Sequence, residues 1–109
     1  MPRKKIFIDW EIPYTVVNIV RSVCADYDRR AIAMKTSGCA VIDQYRALNE
    51  AIDRGLSDLE VGIRKIMLDD ICTGRGYGYS PVSAIMTKNA YYHRKRKAIH
   101  DIAMHLKLI

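Results

Sequence analysis

Between Thr87 and Leu106 the apolar residues Tyr91, Ala98, Ile99, Ile102, Ala103 and Leu106 recur at spacings of three, four and seven, the repeat of one face of an α-helix. A stripe of that kind must be buried, so the chain needs other elements to pack against it. Thr87 suits the N-cap, where its side-chain oxygen can take one of the orphan backbone N–H groups of the first turn. From that cap Lys88, Asn89, Tyr92, His93 and Arg96 occupy the first, second, fifth, sixth and ninth helical positions. They are expected to share the outward side, where they could enter the ~12 Å wide major groove of DNA together.

Charge sharpens that expectation. Residues 87–109 hold six Lys or Arg against one Asp, a local net charge of +5, residues 1–5 carry +3, and residues 6–86 carry −2. Two basic ends on a nearly neutral body suit a local task on a polyanion better than a general property of the surface. A basic amphipathic helix can also be a solvated face, or can lie on an acidic partner or a membrane. Asn89, Tyr92 and His93 favour nucleic acid, because they can bond base edges or phosphates, whereas a membrane helix would set Leu, Phe or Trp opposite its lysines. Lys88, Asn89, Tyr92, His93 and Arg96 are thus the expected base-reading set. Arg94, Lys95 and Lys97, with Arg3, Lys4 and Lys5 of the amino-terminal arm, are expected on phosphates.

At 109 residues the chain is long enough for one modest core. Residues 1–12 read as a basic arm and extended lead-in anchored by Phe7 and Trp10, and residues 13–109 as a single helical domain. In it, residues 13–55 form amino-terminal helices that could serve dimerisation, and residues 57–109 end in a helix-turn-helix. Pro13 suits a first turn, and Val16, Val20, Val23, Cys24, Tyr27, Ala31 and Met34 then keep a helical period to about Lys35. Asp26 and Asp28 diverge around that helix, and Arg29 and Arg30 lie within pairing range of Asp26, so ion pairs are expected there rather than acid-base chemistry. Val41, Tyr45, Leu48 and Ile52 mark a second helix, ending before Gly55 as a cap residue. Ser57 and Glu60 form a capping-box pattern opening a third, with Leu59, Ile63, Ile66, Met67 and Ile71 on its buried face and Gly74 at its end. The Gly and Tyr alternation from Gly74 to Tyr79 lacks the Gly-Lys-Ser/Thr ending of a phosphate-binding loop and reads as a compact connection. Ser80-Pro81 then starts a short helix to about Ile85. The fold class expected is all-α.

Against this pattern, Ile63 to Leu106 resembles the fourth region of bacterial sigma factors, and more closely the sigma-like phage regulators of the ArpU and RinA type. Thr87, the Tyr91-Tyr92 pair, the basic run to Lys97, Ala98-Ile99 and Ile102-Ala103 with Leu106 carry the likeness, which covers roughly the carboxyl-terminal 45 residues. It implies a prophage or mobile-element transcription regulator acting on late genes, with RNA polymerase as a candidate partner. A reader this small spans few base pairs, so a homodimer on two half-sites is expected, with the first two helices as its interface.

Other classes fit less well. Cys24, Cys39 and Cys72 are odd in number and lack C-x-x-C spacing, so neither structural zinc nor a disulfide framework is expected, and a reducing cytoplasm is assigned. No apolar run approaches the ~20 residues of a membrane span. His93, His100 and His105 do not share a face, and no nucleophile has a nearby base, so neither an enzyme, a metal nor a cofactor is expected. Two alternatives to DNA regulation stay open. One is a helical module docking on an acidic partner such as a transcription factor or polymerase subunit. The other is a DNA-packaging protein resembling a small terminase subunit, which would require higher oligomers.

Overall fold

The periodicity from Val16 to Met34 carries no Gly or Pro, yet the chain breaks at Asp26 into two helices, α1 (Tyr14–Ala25) and α2 (Tyr27–Thr36). The cause is tertiary. Arg30 is buried, and its Nη2 donates to the Val23 carbonyl at 2.6 Å while its Nε donates to Asn49 Oδ1 at 2.7 Å. Asn49 in turn donates to the Tyr27 carbonyl at 3.2 Å, and the Tyr27 hydroxyl donates to Asp53 at 2.8 Å. A cation on the carbonyl end of α1 is also favoured by the helix dipole. Arg29 pairs with Asp26, as the spacing leads one to expect.

The computed structural model describes residues 12–36 and 42–109; Arg3, Lys4 and Lys5, the anchors Phe7 and Trp10, and Cys39 lie outside the described residues. After α2 come α3 (Ile42–Gly55), α4 (Val61–Thr73), two 3-10 helices at Tyr77–Tyr79 and Pro81–Ala84, and α5 (Lys88–His105). The fold is all-helical, with no strand among the described residues. α3 lies between α2 and α5, and α1 packs along α4 and meets α5. Val20 and Cys24 of α1, Ile52 of α3, Ile63, Met67 and Ile71 of α4, Val82, and Tyr91, Ala98, Ile99, Ile102 and Ala103 of α5 form one buried cluster. Each fully buried aliphatic side chain there contributes about 1.5–3 kcal/mol. Burial makes Cys24 a small hydrophobe and, with Cys72 nearby as a lesser influence, pushes its thiol up to about 12, far from the thiolate that reactivity needs.

Two local expectations change. The capping box is not formed: α4 starts at Val61, Glu60 makes no side-chain cap bond, and Ser57 Oγ donates to the Arg54 carbonyl at 2.7 Å. Residues 55–60 instead turn tightly to bury Leu56 and Leu59, and Arg64 ties the turn by donating to the carbonyls of Leu59 (2.8 Å) and Ser57 (3.0 Å). Gly55 is the last residue of α3, and its role is a close approach. A Cβ there would lie 2.3 Å from Ile102 Cγ1 and 2.7 Å from the Ile102 backbone nitrogen. Gly74 ends α4 as expected, with φ 73° and its N–H on the Asp70 carbonyl at 2.9 Å, the left-handed geometry that favours glycine.

Candidate nucleic-acid interface

The start of α5 is set by its capping residue and by the loop before it. Thr87 Oγ1 accepts the Ala90 N–H at 3.2 Å. The expected short helix after Ser80 is a four-residue 3-10 helix, capped by Ser80 Oγ accepting from Val82 N–H at 3.2 Å. It does not lengthen because the half-buried phenol of Tyr77 lies between two carbonyls at its exit, Ser83 (3.1 Å) and Met86 (2.5 Å). The Tyr77 N–H donates to the Tyr92 hydroxyl at 3.1 Å, so the loop and α5 are tied at both ends of one residue.

Beneath them lies a buried polar knot. The Tyr91 hydroxyl donates to Asp70 Oδ2 at 2.8 Å, and Arg75 Nε donates to Asp70 Oδ1 at 2.5 Å. Asp70 has no exposed surface (0%), as has Tyr91, so this carboxylate is held by two charge-assisted or phenolic bonds instead of water. Burial, then the bond to Asp70, raises the Tyr91 pKa. These contacts fix the rotation of α5 about its axis.

That rotation places the expected site residues unequally. Lys88, Asn89, His93 and Arg94 are exposed, while Tyr92 and Arg96 are half-buried at one edge of the face. Tyr92 also stacks edge-on to Tyr91, centroids 5.0 Å apart. Lys95 turns inward, donating to the Arg75 carbonyl at 2.8 Å and lying 5.6 Å over the Tyr91 ring. Burial lowers its pKa, with the cations Arg21 and Arg75 adding to the effect against the nearby Asp70. Lys97 is held between Asp58 and Asp101 (2.7 Å to the latter); hydrogen bonds to Asp101 and Asp58 raise its pKa. Asp101 is pushed up by burial, but bonds from Lys97 and His100 outweigh this and hold it low. His100 is half-buried beside Asp101, and His105 is exposed.

Sequence reasoning missed the residues that hold the face in place. Tyr77 and Asp70 carry no spacing signal that links them to α5. Arg75, in the Gly-rich connection, could have been marked as a cation next to a basic helix. Among the described residues no three His, Cys, Asp or Glu side chains come together as metal ligands, and no helix is long and apolar enough to cross a membrane. Compared with protein-family models, curated proteins and solved structures, the chain matches none.

Proposed function

We propose that the chain binds double-stranded DNA sequence-specifically and regulates transcription, with α5 entering the major groove. In this reading Pro81–Ala84, the turn at Ile85-Met86 and α5 act together as a helix-turn-helix packed on α4. The observation that carries it is the outward face of the first two turns of α5. Lys88, Asn89, His93 and Arg94 are exposed on a helix whose other side is locked to the core by Tyr91, Ile99 and Ile102. An amide suits adenine, and Lys88 suits guanine, each good bidentate contact supplying about 1–3 kcal/mol of discrimination. Tyr92 and Arg96 then lie at the rim, and Tyr92 doubles as the anchor of the preceding loop.

The resemblance of Ile63 to Leu106 to sigma region four supports a regulator of the sigma-like phage type, with RNA polymerase as a partner. Half-site recognition calls for a second copy, and exposed Tyr14 and Ile19 of α1 and Ile32 of α2 supply apolar surface for it. The test is the salt dependence of binding to a random-sequence duplex. Some six phosphate contacts give a slope of log affinity against log salt of about −5. Asn89→Ala should keep that weak, salt-sensitive binding while losing preference at the base pair that Asn89 reads. Tight binding to an acidic polypeptide with no salt-dependent DNA binding would favour a protein-docking module instead.

A further inference from the structure

Three cations, Arg21, Arg75 and Lys95, gather at the carboxyl end of α4, the last two beside the buried carboxylate of Asp70. Arg75 is bonded through Nε to Asp70, and its carbonyl accepts from Lys95. Arg21 of α1 lies against the neighbouring peptide, since a Cβ on Gly74 would sit 2.6 Å from its Nη2. Part of this charge answers Asp70 and the negative end of the α4 dipole, but three cations exceed what those two supply. Arg96 extends the row along α5, and with Tyr92, Lys95 and Ile99 it lines a cleft of about 260 Å³.

The other flank of α5 differs. There Asp58 and Asp101 bracket Lys97, and Arg94 lines the same hollow, so those four groups carry no net charge. A polyanion laid across the outward face of α5 is therefore drawn more strongly to the Arg21, Arg75 and Lys95 edge than to the other, where the charges cancel.

We propose that one phosphate backbone of the bound duplex runs along the Arg21, Arg75, Lys95 and Arg96 flank, and that Lys97 makes no phosphate contact. This rests on the DNA-binding reading and adds which side of α5 the strand crosses. Arg75 suits the role because its pairing with Asp70 uses Nε, while 33% of its side-chain surface stays open and a guanidinium fork matches two phosphate oxygens. Lys95, whose charge is disfavoured where it lies, would gain a counter-charge from the same strand.

The experiment measures affinity of the full chain for a labelled random-sequence duplex across a salt series, with Arg21→Gln and Lys97→Gln beside wild type. Losing one phosphate contact should flatten the log–log slope by about 0.9 and weaken binding about five- to ten-fold near 0.1 M salt. We expect that for Arg21→Gln and an unchanged slope for Lys97→Gln. In parallel, arginines of the wild-type chain are modified with phenylglyoxal with and without duplex and mapped by mass spectrometry, which needs no variant to fold. Arg21 and Arg75 should be protected and Arg46 of α3 should not. A wild-type slope for Arg21→Gln with a flattened one for Lys97→Gln, or protection of Arg94 without Arg21 and Arg75, overturns the strand placement and leaves DNA binding standing. Absence of salt-dependent duplex binding by wild type overturns both.

Discussion

Replacing Gly55 by alanine adds one methyl group where α3 meets α5. That Cβ would sit 2.3 Å from Ile102 Cγ1, 2.7 Å from the Ile102 nitrogen and 2.9 Å from its Cα. The Cγ1 contact can be relieved by a side-chain rotation, but the other two are backbone and require α5 to move. Overpacking costs about 1–3 kcal/mol, and a clash with backbone belongs at the upper end. Against it stands the gain of alanine over glycine within a helix, about 0.5–1 kcal/mol. The net expectation is a loss of about 2 kcal/mol, or a fall in Tm of about 10 °C for a domain of this size. Gly62, in the first turn of α4 with nothing within 4 Å of its Cβ position, is the control: Gly62→Ala should raise Tm by about 2–6 °C. Thermal melts followed by circular dichroism compare the two variants with wild type. Combining Gly55→Ala with Ile102→Ala should not restore stability, because the nitrogen and Cα stay in place. A Gly55→Ala protein that melts at or above the wild-type temperature would refute the packing of α3 on α5 described above.

Tyr91→Phe deletes the hydroxyl that donates to buried Asp70; a loss of about 1–3 kcal/mol is expected in urea unfolding, and an unchanged midpoint would mean that the knot does not hold α5. Lys97→Met removes the link between the 55–60 turn and α5, worth about 0.5–1 kcal/mol for so exposed a set of ion pairs. The sign with pH follows from the two shifts. Asp101 is depressed when folded, so its stabilisation is present above the ordinary carboxylate pKa near 4 and is lost as pH falls through the folded value. Lys97 is raised, so its contribution is present below the ordinary lysine value near 10.4 and is lost as pH rises through the folded one. The difference in stability between wild type and Lys97→Met should therefore be widest between about pH 5 and 9 and shrink outside that window. Sedimentation equilibrium should return twice the 12.5 kDa chain mass, and Ile32→Glu should lower it towards the monomer.

Much of this was legible in the residues. The buried stripe of α5, its Thr87 cap, the Gly74 stop and the all-helical class all follow from spacing and local chemistry. The break at Asp26 does not, because it is made by Arg30 reaching Val23 and Asn49, a contact between elements with no local mark. The short helix after Ser80 became a 3-10 helix for a like reason, the phenol of Tyr77 lying at the carbonyls where it would lengthen. Lys95 was a different case. Arg94 to Lys97 reads as one block of charge, yet Tyr91, Ala98, Ile99 and Ile102 lie four before and three, four and seven after Lys95, so its inward direction was available from the same periodicity that marked the stripe.

In the proposed function the outward side of α5 reads base sequence. Selection of bound fragments from a random duplex pool, with wild type and Asn89→Ala carried in parallel, tests it most directly. Wild type should enrich a motif of a few base pairs, repeated in twofold arrangement, and Asn89→Ala should lose preference at one position of each half while still retaining DNA. A wild-type pool that stays random after repeated rounds, or an identical motif from both proteins, would contradict it.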